Sequence, residues 1–254
     1  MSTNATVDIK EEELFRRPPA SNCEGDCPIC LLPLPIDRTL SSMNSCCGKV
    51  ICDGCTYAAD EHGLGNRCVY CRTETPANEH EFEQNIKKRI KANDPPAITQ
   101  WGIRSYCEGN YRRALEYFIK AAELGDLEAH FNLADMYTNG FGVVERDEKK
   151  RIYHLEVAAI GGHVSSRYNL GVIEQDKGNL ERAMQHFMIA CTYGHDNALN
   201  EVKKGFMMGG GLVTKDEYAV ALRAHQAAVD ATKSEQREKA ARMNSYIQLL
   251  GGQM

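Results

Sequence analysis

The sequence predicts two unlike parts in series: a small α+β module organised by metal rather than by an apolar core, then an all-α solenoid of helical pairs. Three observations carry this. Nine of the eleven cysteines fall between Cys23 and Cys71. The same stretch has few aliphatic residues beyond Ile29, Leu31, Leu32, Leu34, Ile36, Leu40, Val50 and Ile51. From residue 97 onward the chain repeats its own pattern at steps of 37, 32 and about 36 residues.

Residues 1–22 mix Ser, Thr and Asn with the run Glu11-Glu12-Glu13 and close on Arg16-Arg17-Pro18-Pro19. Such a composition buries too little to order itself, so a disordered arm is expected. Glu13-Leu14-Phe15 is a short acidic–hydrophobic patch of the kind that docks, with a solvated tail as the simpler reading. The arm has no apolar stretch that would serve as a secretory leader. Reduced cysteines in the cytoplasm or nucleus are therefore expected.

The cysteine module spans 23–75. It contains Cys27-Pro-Ile-Cys30, the adjacent pair Cys46-Cys47, Cys52-Asp-Gly-Cys55 and Cys68-Val-Tyr-Cys71. A C-x-x-C turn places two sulfurs on one side of a tight loop, which is half the shell of a tetrahedral metal. Three such turns and a pair supply eight thiolates, enough for two closed structural zinc sites, and leave Cys23 spare. A disulfide scaffold needs an oxidising compartment, and thioredoxin-like chemistry uses one C-x-x-C rather than three. A module of about fifty residues buries too little to fold unaided, whereas structural zinc contributes on the order of 10–16 kcal/mol.

Residues 76–96 form a linker helix: Phe82, Ile86 and Ile90 are spaced four apart and Asp94-Pro95-Pro96 ends the pattern. Its apolar stripe is expected to lie on the following domain, and Lys87, Lys88, Arg89 and Lys91 are expected to be a solvated face.

Residues 97–229 repeat. Gly109-Asn110-x-x-Arg113-Ala114-x-x-x-Phe118 recurs as Gly178-Asn179-x-x-Arg182-Ala183-x-x-x-Phe187, and Phe131-Asn132-Leu133 recurs as Tyr168-Asn169-Leu170. Tyr218, Ala221, Leu222 and Ala228 copy Tyr111, Ala114, Leu115 and Ala121. Such periods mean stacked helical pairs. Gly125, Gly162 and Gly194 fall just past helix ends, where a left-handed residue is wanted. Leu133, Leu170 and Trp101 take inward positions, the aromatics Tyr111, Tyr117, Phe118, Phe131 and Tyr168 are core, and Cys107 and Cys191 act as small buried residues. His130, His154, His163, His186, His195 and His225 fall at unrelated offsets and define no site, and His62 is a solvated loop residue. Residues 230–254 are read as a capping helix of the array with a frayed end.

At 43% hydrophobic and 26% charged residues the composition is that of a globular chain. No run is long enough to span a membrane. The formal net charge of −5, made more negative by metal-bound thiolates, disfavours a nucleic-acid partner. No nucleophile–base pair, phosphate loop or carboxylate pair suggests conventional catalysis.

Residues 27–72 resemble a RING-type zinc finger in its all-cysteine variant, and residues 97–229 resemble Sel-1-like repeats, short relatives of the tetratricopeptide repeat. The second likeness rests on Asn132-Leu133-Ala134-Asp135-Met136-Tyr137, Gly140-Phe141-Gly142-Val143 and Ala158-Ala159. The RING resemblance implies an interleaved ligand set, with Cys27, Cys30, Cys52 and Cys55 on one zinc and Cys46, Cys47, Cys68 and Cys71 on the other. It further implies a ubiquitin ligase without covalent intermediate, in which Ile29 contacts a ubiquitin-conjugating enzyme and Arg72 bridges that enzyme and ubiquitin. The repeats would then hold a protein substrate or adaptor. Three positions depart from the pattern: Cys46 and Cys47 are adjacent, Val69 replaces a proline, and 56–67 lacks a tryptophan. If Cys47 is the third ligand of the family order, Lys49 stands where histidine usually does, and a protonated amine cannot ligate. Cys46 is then the natural replacement, with Cys23 and His62 as outsiders. The alternative to a ligase is a non-enzymatic interaction scaffold with a structural zinc module.

Overall fold

The computed structural model describes residues 9–16, 19 and 22–251, with side chains described as far as 244. Contacts divide the chain into two compact units, each assembled from two stretches. One takes the residues up to 23 together with 93–228; the other takes 24–92 and everything from 229 onward.

The first unit is the helical array. After a single helical turn, α1 (Glu11–Leu14), its pairs are α4 (Pro95–Cys107) with α5 (Tyr111–Glu123), α6 (Leu127–Asn139) with α7 (Glu148–Ile160), and α8 (Val164–Asp176) with α9 (Leu180–Cys191). Next come α10 (Asp196–Met208), which packs on α9, and α11 (Lys215–Ala231). Successive pairs join through α5–α6 and α7–α8. Gly125, Gly162 and Gly194 all have positive φ, at 86°, 92° and 84°. Each is followed by a residue whose side chain caps the next helix: Asp126 accepts from the Ala129 N–H, His163 from Ser166 and His195 from Ala198. His163 and His195 are thus equivalent positions one repeat apart, which corrects the reading of the histidines as unrelated.

Helix approach within a pair is set by one complementary position. A Cβ on Gly102 would lie 2.6 Å from Phe118 Cε1, and one on Gly171 would lie 2.5 Å from Phe187 Cε1. In the pair between them the same register carries Ala134 and Leu155, both in one buried cluster. Glycine faces phenylalanine twice, and alanine faces the smaller leucine once. The longer α6–α7 loop folds back: Phe141 stacks on Tyr111 at 4.4 Å and meets Tyr106 edge-on, joining the core of Ala114, Phe118, Leu133 and Met136. Cys107 is exposed rather than buried, because α4 buries Ile98, Trp101, Gly102 and Ser105 and position 107 falls off that face. Cys191 is buried as expected.

The arm is not wholly disordered. Leu14 is 2% exposed and belongs to the cluster of Ala134, Leu155, Ala159, Leu170 and Ile173, with Ile9 and Phe15 packed against it. One leucine inserted between repeats outweighs the polar composition around it. The remainder of the arm (1–8, 17–18 and 20–21) lies outside the described residues.

The second unit contains a hairpin of β1 (Ser41–Met43) and β2 (Val50–Cys52), paired Ser41 to Cys52, then α2 (Asp53–Glu61) and α3 (Glu79–Lys91). Its last element is α12 (Glu235–Gly251). Two expectations are corrected here. Helix α3 groups with the cysteine loops rather than with the repeats: Ile86 is fully buried and the Arg89 guanidinium closes over Gly48. Lys87, Lys88 and Lys91 are exposed, as a solvated face requires. Helix α12, expected as a cap of the array, groups instead with the cysteine unit. It packs on α2, with Gly54 against the Arg237 backbone, where a Cβ would come within 2.6 Å of the nitrogen.

Candidate metal centre

Two loops of the second unit repeat one backbone fold 41 residues apart. In the first, Cys27 N–H donates to Leu32 O, Leu31 N–H to Cys27 O and Leu34 N–H to Gly25 O, at 2.8–2.9 Å. In the second, Cys68 N–H donates to Thr73 O, Arg72 N–H to Cys68 O and Thr75 N–H to Asn66 O, at 2.8–3.0 Å. Isolated bridges close both necks, Asp26 to Pro33 and Arg67 to Glu74. The residue after the second cysteine turns left-handed in each, Leu31 at φ 58° and Arg72 at φ 63°. These loops turn both sulfurs of a C-x-x-C to one side.

The other half of each group comes from a different kind of element. Cys46 and Cys47 sit in the β1–β2 turn, where the Gly48 N–H donates to Asn44 O. Cys52 ends β2 and is the N-cap of α2, with Cys55 in its first turn. The eight sulfurs then form two groups, Cys27, Cys30, Cys52 and Cys55, and Cys46, Cys47, Cys68 and Cys71, with all ligand atoms of a group within 4.8 Å of one another. Cys23 and His62 join neither. The Cys23 N–H donates to Gly162 O within the repeat unit, and His62 follows the exposed end of α2.

The spacing decides what the groups fit. Sγ–Sγ separations are 3.8 Å for Cys27–Cys55, Cys30–Cys52 and Cys47–Cys68, and 3.4 Å for Cys46–Cys71. A disulfide needs about 2.05 Å. A tetrahedron with Zn–S bonds of about 2.3 Å has edges of about 3.8 Å. Electrostatics point the same way. Burial raises the Cys27 thiol, but N–H groups of Cys30, Cys52 and Ile29 overcome it and hold the group down at about 7. Burial and neighbouring thiolates push Cys55 up strongly. In the second group the Thr73 hydroxyl leads in lowering Cys71 to about 6, while burial and the sulfurs of Cys71 and Cys68 push Cys46 up strongly. Left to themselves the four sulfurs of a group resist ionising together, and a cation among them would let all four serve as thiolates. Four soft sulfurs and no oxygen donor suit zinc.

Arg237, which sequence reasoning passed over, stands behind the first group. Its Nη1 donates to Pro33 O at 2.7 Å and Thr232 O at 2.8 Å, and its Nη2 to Leu32 O at 3.3 Å and Cys30 Sγ at 3.5 Å. Only the Ser-x-x-Arg spacing that starts α12, where Arg237 N–H donates to Ser234 Oγ, hinted at this residue. The sequence-selected partner residues occupy the two matched loops. Ile29 is 41% exposed and Arg72 is exposed; their counterparts Tyr70 and Leu31 are exposed as well. Each loop therefore presents two outward side chains, one inside the C-x-x-C and one just after it.

In the array the structure brings together a pair the sequence did not suggest. His130 Nδ1 and His154 Nδ1 lie 2.9 Å apart beside a cavity of about 330 Å³ that Tyr137, Lys150 and Tyr153 also line. Burial depresses both rings, His154 to about 4.

Residues 98–126 and 127–163 match the Sel1 repeat family, so the first two helical pairs are Sel1 repeats. The match lies wholly within the array. Chitin synthase regulatory factor 4 of Schizosaccharomyces pombe is 30% identical over 91 residues, covering 36% of this chain and 14% of that protein. The exopolysaccharide production negative regulator of Rhizobium meliloti is 27% identical over 138 residues, covering 48% and 52%. The chain thus spans about half or less of the curated relatives it matches. A solved Sel1 repeat protein from Oxalobacter formigenes superposes with a TM-score of 0.52 at 19% identity, over 78% of this chain and 86% of that one. The helical-pair solenoid is therefore the Sel1 fold. Among the described residues no helix is long and apolar enough to cross a membrane.

Proposed function

We propose that this chain is a zinc-dependent recruiting protein of the RING type, in which the cysteine module docks a ubiquitin-conjugating enzyme and the Sel1 repeats hold a protein substrate or adaptor. The observation that carries the reading is the crossed order of the sulfur groups, since Cys27-Cys30 joins Cys52-Cys55 across the intervening Cys46-Cys47 turn, and that turn joins Cys68-Cys71. Two zinc ions held this way replace the core that so few aliphatic residues would provide, and set the outward residues of both loops in place. Ile29 and Arg72 are exposed there without serving the module's own core. The chemistry would be catalysis by orientation, which needs a rigid platform and no nucleophile. Both curated relatives are named as regulators, a role that suits a protein that recruits rather than reacts.

The test is discharge of ubiquitin from a panel of charged conjugating enzymes. Ile29→Ala removes exposed contact area, and a partner anchor of this kind is worth about 2 kcal/mol. It should cut discharge more than tenfold while zinc content stays unchanged. Arg72→Ala should leave binding of the uncharged enzyme intact and slow discharge. Wild-type protein that accelerates discharge from no enzyme in the panel would overturn the ligase reading in favour of a non-enzymatic scaffold. One observation favours that second reading: α2, which starts within Cys52-Asp-Gly-Cys55, is already packed by α12.

A further inference from the structure

The seat of Leu14 is built from the repeats and shaped for a peptide. Arg167 on α8 is 2% exposed and splits its guanidinium between two carbonyls: Nη1 donates to Leu14 O at 2.8 Å and Nη2 to Ala159 O at 2.9 Å. Phe15 lies 4.7 Å from the ring of His186 on α9, itself 1% exposed. Arg182 pairs with Glu11 and lies over the Phe15 ring, while its Nε holds Glu174 at 3.2 Å. One helical turn, Glu11–Leu14, is thus gripped by a charge at its start, a buried leucine, a backbone clamp and an aromatic contact. A single turn has no stability of its own in water, so side-chain contacts alone hold it.

The grip is incomplete in a telling place. Arg167 Nε and His186 Nδ1 are both buried without a hydrogen-bond partner among the described residues, and both line this seat. Buried polar groups are normally satisfied, and leaving one unmade is costly. Residues 9–15 therefore leave two polar atoms of the seat unused.

We propose that the groove of α7, α8 and α9 is a recognition site for an acidic one-turn peptide ending in Leu-Phe on a partner protein, and that residues 9–15 of this chain occupy it in cis as a competing ligand. This rests on reading the repeats as a protein-binding array and is independent of the zinc module. A tethered ligand acts at an effective concentration in the mM range. A segment with intrinsic Kd near 0.1 mM would then weaken an incoming peptide of the same sequence about tenfold.

The test uses the full chain and a fluorescein-labelled peptide of residues 9–16. Leu14→Asp should release the arm, because a carboxylate is not tolerated in that cluster. The peptide should bind this variant at least fivefold more tightly than it binds wild type. Glu11→Ala with Phe15→Ala loosens the arm without placing a charge in the core, and should show the same gain if Leu14→Asp impairs folding. In the released background Arg182→Glu should lose the native peptide and recover binding to one carrying arginine at the Glu11 position. No binding by either released variant, or equal binding by wild type and both variants, would overturn the proposal. Because the readout is peptide binding, its failure is separate from a failure of ubiquitin discharge.

Discussion

Gly171 should not tolerate even a methyl group unless Phe187 shrinks with it. A Cβ at Gly171 would lie 2.5, 2.7 and 3.0 Å from Phe187 Cε1, Cδ1 and Cζ. Contact at about 3.5 Å or more would be needed for comfort, so the ring must retreat by close to an ångström. Phe187 is completely buried and has nowhere to go. Overpacking of this kind costs about 1–3 kcal/mol, while alanine for glycine in a helix returns up to about 1 kcal/mol. Gly171→Ala should therefore destabilise the array by about 1–2 kcal/mol, read from urea unfolding followed by circular dichroism. Adding Phe187→Leu recreates the Ala134–Leu155 combination of the neighbouring pair. The double variant should thus be more stable than the sum of the singles, with a coupling of about 1 kcal/mol. Gly171→Ala that proves neutral or stabilising, or single effects that simply add, would refute the idea that this position sets the helix approach.

Arg237→Ala should loosen the cysteine unit by about 3 kcal/mol, since hydrogen bonds from a charged donor contribute roughly 1.5–3 kcal/mol each and two of the four are long. Chelator challenge should extract metal from it faster than from wild type, and Arg237→Lys should not rescue because one ammonium cannot span those acceptors. Elemental analysis should find two zinc ions per chain; Cys46→Ser and Cys47→Ser should each lose one, and Cys23→Ser should lose none. A ratio near one in wild type would contradict the two-site assignment. Acid should destabilise the array: burial lowers His154 to about 4 and His186 to about 3, so the unfolded chain takes up protons first. Stability is full above about pH 6.5, falls as the pH drops toward 4, and each ring is worth on the order of 3 kcal/mol. Melting temperatures from pH 7.5 to 4.5 check this, with His154→Phe flattening the slope.

The parts legible in the sequence were those in which one residue type has one physical use. Glycines 125, 162 and 194 announced helix ends because their left-handed backbone asks for glycine, and the C-x-x-C spacing announced half-shells of sulfur. What stayed hidden depends on pairs. The match between Gly102 and Phe118, or Ala134 and Leu155, is a relation across sixteen or more residues that appears only once the helices face each other. His163 and His195 were one repeat apart, but a histidine N-cap lies outside the usual Asp, Asn, Ser and Thr preference and so went unnoticed. Glu13-Leu14-Phe15 was visible as a docking patch, but the acidic run around it averages out as solvent-loving and made a solvated tail the simpler reading; a single inserted side chain is enough to anchor it. The 41-residue recurrence of the cysteine loops is carried by backbone hydrogen bonds, and CPICLLPL and CVYCRTET share little beyond their cysteines.

Because the second unit is made from residues 24–92 and 229–251 with the whole array between them, its parts are synthesised far apart in time. The cysteine loops leave the ribosome well before α12, whose Arg237 closes on Pro33 and Leu32. At the usual elongation rate of about 5–20 residues per second, the loops wait for roughly ten seconds or more without that closure. During this interval the thiols are at their most reachable, for zinc and equally for oxidants. The repeats, meanwhile, settle pair by pair as they emerge. Dissection faces the same constraint: a cut after residue 92 yields an unfinished cysteine module, and a fragment starting at 93 carries a terminal helix separated from the surface it packs against.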